Sequence, residues 1–517
     1  MLKQFAYDNV PPVRTEAGLL HGFMLDNMYI FRGVPYAEAK RFQMPTPVTP
    51  WQGVRDACSY GYVCPLLAQD RPSMELMVPH RYWPMDENCQ NLNIWTDSLD
   101  TSAKKPVMVW LHGGGFTAGS SIEQIAYDGF NMCREGGVVV VSLNHRLNVL
   151  GYLDVSPFGE KYANSANAGH ADMVAALRWI RDNIAAFGGD ADNVTLFGQS
   201  GGGMKISGLM NIPAADGLFH RAIVMSGVSD GKLMPEPKGD GRMIVSAIMQ
   251  ELGVEDVQAL ETVPYAQLAA AYNKVFMPIA MQGGYTGGAP LKNDFYLGEP
   301  LLHGFTEHAK TIPLMVGSTM GEFAFKPVLF DKHTKSETEI MDILRADFGD
   351  ATEKAVALFQ KAYPQKHLLD LPVVDRIFRS PSKALARLHA AGGKAPTYLY
   401  NFTYNFPMQW DKPAWHCADI PFFFHNIELV EVCGTPGVCE DLQEKLFGAV
   451  MAFAKTANPN HPKLPEWPVV TNDCEPTMCF DIDCTVGVNY DDALLALAEE
   501  VLPPFNLMAL MAQDIQH

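Results

Sequence analysis

What most limits the folds open to this chain is a strand that runs straight into a glycine-flanked serine and then into a helix. Asn193-Val194-Thr195-Leu196-Phe197 is a short apolar and β-branched run, and Gly198-Gln199-Ser200-Gly201-Gly202 follows it without a break. Residues 201–210 can then start a helix. A serine on so tight a turn sits in strained backbone, and the flanking glycines remove side chains that would clash. Its hydroxyl projects above the sheet edge, with a helix N-terminus behind it that favours developing negative charge. G-x-S-x-G alone is a weak pattern; the strand–turn–helix setting is what marks Ser200 as a nucleophile position.

The surrounding sequence fits one large α/β unit. Apolar runs at 106–111, 138–141, 222–225 and 313–316 read as further strands. Residues 171–184 read as a helix with Val174, Leu177 and Ile180 on one face. Such runs, buried on both faces and separated by helices, imply a central, mostly parallel sheet flanked by helices. From about 335 to 395 the pattern changes. Ala355, Leu358, Phe359, Ala362 and Tyr363 follow helical spacing, and the region is expected to be a helical cap insertion over the sheet. Residues 398–402 return to strand, and Leu446, Phe447, Val450, Met451 and Ala454 mark a late helix that stops near Asn458-Pro459. Roughly 150 residues per domain would give about three units, yet no repeat or linker divides the 517 residues. A single domain over 1–517 is therefore expected.

Composition narrows the function. With 39 basic and 58 acidic residues the formal charge is −19, which repels phosphate backbones and argues against nucleic acid as a partner. No apolar stretch reaches eighteen residues, so no membrane span is expected. The first residues lack the apolar run of a secretion signal, which implies a cytoplasmic protein or one whose leader has been removed. Ten cysteines are too few for a disulfide scaffold, and Cys474, Cys479 and Cys484 do not have a usual zinc spacing. No metal and no organic cofactor are expected.

A serine hydroxyl needs a base, an acid to orient that base, and donors for the oxyanion. His112-Gly113-Gly114-Gly115-Phe116 follows the strand ending at Leu111, and its glycines leave backbone N–H groups bare to point inward. That suits the alkoxide of a tetrahedral intermediate. A phosphate-binding loop would need the G-K-[ST] ending, which is missing.

These residues and several others resemble the type-B carboxylesterase and cholinesterase family of α/β-hydrolases. Residues 187–202, from Phe187-Gly188-Gly189-Asp190 to Ser200-Gly201-Gly202, are similar to its active-serine signature. Phe31-Arg32-Gly33-Val34-Pro35-Tyr36-Ala37, residues 87–94, Asn144-His145-Arg146-Leu147 and Ala457-Asn458-Pro459-Asn460 resemble further family segments, so the likeness runs from about 14 to about 490. It implies an α/β-hydrolase fold with triad order Ser, acid, His. Glu322 stands at the acid's place after residues 313–316, and His416, in Trp415-His416-Cys417-Ala418-Asp419, at the base's place. It also implies oxyanion donors at Gly114, Gly115 and Gly201, where the family more often has alanine at the last. Ser226 would hydrogen-bond behind the triad. Cys64 and Cys89 would form a disulfide closing a loop at the entrance, lined by Met74, Met77, Tyr82 and Trp83.

The expected function is hydrolysis of small-molecule carboxylic esters, neutral or hydrophobic ones, by a Ser200–His416–Glu322 triad through an acyl-enzyme. Amidase, thioesterase and lactonase chemistry could use the same triad. A non-catalytic binding or adhesion homologue would have lost it. Two S-x-x-K matches, at Ser102 and Ser380, lack S-D-N and K-T-G partners and read as chance.

Overall fold

The computed structural model describes residues 4–68, 77–232, 235–236, 238–325 and 330–504. A twelve-stranded sheet organises them. In chain order its strands are β1 (Phe5–Ala6), β2 (Phe23–Leu25), β3 (Met28–Pro35), β4 (Asn91–Thr96), β5 (Lys105–Leu111), β6 (Val139–Leu143), β7 (Gly189–Gln199), β8 (Arg221–Met225), β9 (Leu314–Thr319), β10 (Thr397–Phe402), β11 (Pro476–Phe480) and β12 (Thr485–Val488). In space they run β1-β2-β3-β4-β6-β5-β7-β8-β9-β10-β11-β12. Neighbours from β6 to β11 are parallel, and antiparallel pairs extend both edges. This is the mostly parallel sheet of an α/β-hydrolase.

The apolar runs are continuous because both faces of the sheet are covered. Successive side chains alternate between faces. Val107, Val109, Val139, Val141, Val194 and Leu196 enter one apolar cluster, while Met108, Trp110, Val140, Phe197 and Ile223 enter the other. Helix α1 (Ala168–Asn183) lays Val174, Leu177 and Ile180 on the first face, and α2 (Gly201–Met210) adds Ile206 and Leu209 there.

The 335–395 stretch is helical but divided. Helices α3 (Glu337–Phe348) and α4 (Thr352–Ala362) pack Ile340, Leu344 and Phe359 against Leu494 and Leu497 of the C-terminal segment. A capping box of Ser336 and Glu339 starts α3. Helix α5 (Arg379–Ala391) instead presses Leu385 and Ala386 into the sheet's own cluster, so it belongs to the layer flanking the strands. The late helix α6 (Val438–Thr456) covers the opposite face through Leu442, Leu446 and Val450.

The chain leaves β5 for β6 on one side and returns to lay β7 on the other. Strand order reverses there, and the C-terminal ends of strands flanking such a reversal border a natural crevice. His112 follows β5 and Ser200 follows β7. Behind this point, Arg146 and Asp172 are almost fully buried and doubly bonded, Nη2 to Oδ1 at 2.6 Å and Nε to Oδ2 at 2.8 Å. Arg146 Nη1 donates to Lys40 O and Gln43 O, so the pair ties α1 to the N-terminal segment.

Removing one partner of such a pair leaves a buried charge alone. Asp172→Ala is expected to destabilise the protein by about 3–5 kcal/mol. Asp182→Ala, which breaks the more exposed contact with Arg181, should change stability by less than about 1 kcal/mol. Thermal melts of both variants against the parent check the contrast.

Candidate active site

β7 ends at Gln199 and α2 begins at Gly201, so Ser200 is the single residue of the turn. Its backbone takes φ 58° and ψ −125°, a conformation that L residues adopt only when the surroundings impose it. Two main-chain bonds impose it here: Ser200 N–H donates to Met225 O at 2.8 Å, and Ser200 O accepts from Met204 N–H at 3.1 Å.

The loop after β5 wraps this turn. Gly114 and Gly115 adopt φ 80° and 62°, left-handed values open to glycine. A Cβ on Gly201 would lie 2.3 Å from Gly115 O and 2.4 Å from Gly115 N, so the two backbones touch. Among the described residues, the N–H groups of Gly114, Gly115 and Gly201 donate to no protein acceptor. Three free donors thus gather beside one serine.

Glu322 lies in the turn after β9 and is fully buried. One carboxylate oxygen accepts from Thr319 N–H at 2.7 Å, and the other contacts His416 Nδ1 at 2.5 Å. The main chains are joined as well, His416 N–H donating to Glu322 O at 2.8 Å. The imidazole lies nearly parallel to Phe378 at 5.2 Å and to Phe323 at 5.8 Å between centroids. Gln199 Nε2 is 3.2 Å from both ring nitrogens, an equidistance that puts it over the ring face. Gln199 is peptide-bonded to Ser200, so the imidazole is in contact with the side chain of the residue next to the serine. The Ser200 hydroxyl makes no hydrogen bond among the described residues, and catalytic bonds often tighten only around substrate.

Two more carboxyl groups surround Glu322. Burial and the Glu322 charge push Asp375 up to about 7, against the pull of N–H donations from Ile377, Phe378 and Arg379. Burial also pushes Asp419 up to about 7; the Tyr400 hydroxyl, 2.8 Å away, opposes this and Glu322 adds to it. Asp375 thereby holds the segment that presents Phe378 to the imidazole.

Other expected residues fall differently. Ser226 follows β8 fully buried, and its hydroxyl has no hydrogen-bond partner among the described residues. Only its N–H is used, donating to Gly317 O at 2.8 Å, so it joins β8 to β9 and does not bond behind the triad residues. Cys64 and Cys89 are free thiols, as are all ten cysteines. They are buried in one cluster with Leu147 and Leu150, where Leu147 N–H donates to Cys64 Sγ at 3.2 Å. Burial, with Cys64 beside it, pushes the Cys89 thiol well up, away from the reactive thiolate. Met77 is a core residue, Tyr82 and Trp83 are exposed, and Met74 lies outside the described residues.

A cavity of about 350 Å³ is lined by Phe116 and Met204 and by Glu236, Glu299 and His303. Phe116 and Met204 also share an apolar cluster with Phe323 and Phe378, the rings stacked on His416. The cavity therefore borders the same group of side chains as the imidazole.

Gln199, Phe323, Phe378, Asp375 and the cavity's carboxyls were not singled out from the sequence. Gln199 was readable within the G-x-S-x-G motif; Phe378 lies far from every motif and carried no signal.

Comparison with known proteins identifies the family. The sequence profile of the carboxylesterase family matches residues 9–494. The para-nitrobenzyl esterase of Bacillus subtilis is 32% identical over 490 residues, 92% of this chain and 95% of that protein. The phenmedipham hydrolase of Pseudarthrobacter oxydans is 33% identical, over 90% of this chain and 93% of its own. Among solved structures, an esterase from the anaerobe Clostridium hathewayi that can hydrolyse aliphatic aromatic polyesters superposes with a TM-score of 0.95 at 56% identity, covering 97% of this chain and all of that one.

Gly201→Ala forces a methyl group into the Gly115 backbone. The expected result is a loss of about 100-fold in kcat with KM little changed, on the scale of losing one oxyanion donor. Steady-state kinetics on a p-nitrophenyl ester check it.

Proposed function

The chain belongs to the carboxylesterase family, and on that footing we propose that it hydrolyses neutral, hydrophobic carboxylic esters through Ser200, His416 and Glu322. The observation that carries this reading is the 2.5 Å contact of Glu322 Oε2 with His416 Nδ1, set beside a serine held at positive φ. With Nδ1–H donated to the carboxylate, Nε2 is the nitrogen left to take a proton. In this scheme Ser200 Oγ attacks the acyl carbon as its proton passes to His416 Nε2. Negative charge gathers on the carbonyl oxygen and is met by the N–H groups of Gly114, Gly115 and Gly201. The C–O bond to the alcohol breaks, and His416 returns the proton to the leaving oxygen. A water molecule then repeats the sequence, giving its proton to His416 and releasing the acid and free Ser200.

Substrate character follows from what lines the approach. Phe116, Met204, Phe323 and Phe378 are apolar and contiguous, which suits uncharged acyl groups. The polyester activity of the Clostridium hathewayi relative extends this reading to esters of aromatic acids, since flat Phe323 and Phe378 rings flank the imidazole.

Ser200→Ala is expected to lower turnover of a short p-nitrophenyl ester by about 10⁴-fold or more while leaving the melt unchanged. A fluorophosphonate should label the parent at Ser200, read by peptide mass spectrometry; a label elsewhere sinks the scheme. A second expectation concerns the cavity. Burial, with the Glu236 carboxylate nearby, pushes Glu299 up to about 8, and its Oε1 has no hydrogen-bond partner among the described residues. The group is therefore neutral at pH 7 and becomes an anion above pH 8. KM for an apolar acyl chain should rise across that window, and Glu299→Gln should remove the rise.

A further inference from the structure

Lys205 lies on α2 one turn past Ser200, with no measurable solvent exposure. A lysine buried this completely ordinarily has a carboxylate partner. Among the described residues Lys205 has none; its Nζ donates to two main-chain carbonyls, His112 O at 2.9 Å and Gly113 O at 3.4 Å. Both belong to the loop that carries Gly114 and Gly115. Gly113 O also meets His112 Nδ1 at 3.0 Å, and the His112 ring stacks on His145 at 5.1 Å.

Peptide geometry turns this anchoring into direction. In a trans peptide the C=O of one residue and the N–H of the next point opposite ways, and no peptide among the described residues is cis. Holding Gly113 O against the lysine therefore turns the Gly114 N–H away from it. The loop continues on that other side, where Gly115 backbone meets Gly201. His112 shares the hold on Gly113 O through its Nδ1, while Lys205 is the side chain that reaches both carbonyls. Burial holds His112 and His145 well below the usual imidazole range, so both are neutral near pH 7. Burial lowers Lys205 itself to about 7, and its amine keeps N–H donors in either protonation state.

We propose that Lys205 is a positioning residue for the reaction, holding the His112 and Gly113 carbonyls from beneath so that the Gly114 and Gly115 N–H groups are aimed at the developing oxyanion. The proposal rests on Ser200 being the nucleophile. It goes beyond the glycine pattern itself, because it places the order of a side-chain-free loop in a buried amine on the nucleophile's own helix. In Lys205→Met the His112 carbonyl loses this donor and Gly113 O keeps only His112 Nδ1, while most of the length of the side chain is kept.

The test measures kcat per reactive serine, the number of sites being counted by fluorophosphonate titration, so that misfolded protein does not enter the rate. Lys205→Met is expected to lose about 10- to 100-fold in kcat per site, with KM within about twofold of the parent. An aryl trifluoromethyl ketone, which adds Ser200 to form an oxyanion, should weaken by the same factor as kcat/KM, as a merely structural role would not require. A kcat per site within twofold of the parent, or unchanged ketone binding, overturns the proposal. Where Lys205→Met yields no titratable protein, Lys205→Gln, which keeps a shorter donor, is read by the same criteria. A parent enzyme whose Ser200 does not react with the fluorophosphonate overturns the reading of the site instead, so the two failures are distinct.

Discussion

The site depends on two stretches of backbone being allowed to touch. The turn at Ser200 and the loop after β5 approach until Gly115 occupies the space a Cβ on Gly201 would need. Contact this close is possible only without side chains, and only because β5 and β7 are hydrogen-bonded neighbours whose ends rise together. The sheet supplies the proximity and glycine supplies the clearance. The turn at Ser200 is backbone strain that neighbouring main-chain bonds hold in place.

Around the imidazole the constraint is electrostatic. Glu322, Asp375 and Asp419 are three buried carboxyls in mutual influence. Three full negative charges in so dry a place would repel strongly. The arrangement separates them by environment. Glu322 has an N–H donor and the imidazole, while burial and the Glu322 charge push Asp375 and Asp419 up to about 7.

What could be read from the sequence was what is local. The strand, turn and helix around Ser200 and the glycine loop after β5 are each set by residues a few positions apart, and burial of the parallel strands on both faces left continuous apolar runs. Glu322 and His416 could be named only through the family likeness, because nothing in their own neighbourhoods distinguishes them from other acids and histidines. The division of the 335–395 stretch was hidden, since an amphipathic helix looks the same whether its apolar face meets a sheet or other helices. Phe378 reaches His416 only through tertiary packing. Lys205 was invisible for a different reason: a lysine on a helix reads as a solvent-facing residue, and only the fold reveals that it points into carbonyls. The same limit applies to Cys64 and Cys89, where the family pattern implied a bond and the chain keeps two thiols.

The glycine at 201 has an evolutionary corollary. The family pattern that the sequence resembles favours alanine after the nucleophile, so an engineer guided by that pattern would regard alanine as the safe exchange. Here that exchange is context-dependent: the loop has settled into the volume the methyl would occupy. A lineage could regain alanine only after the loop had first withdrawn, which makes the order of substitutions matter. Position 201 and the loop at 113–115 therefore form an epistatic unit, to be transplanted between homologues together or not at all.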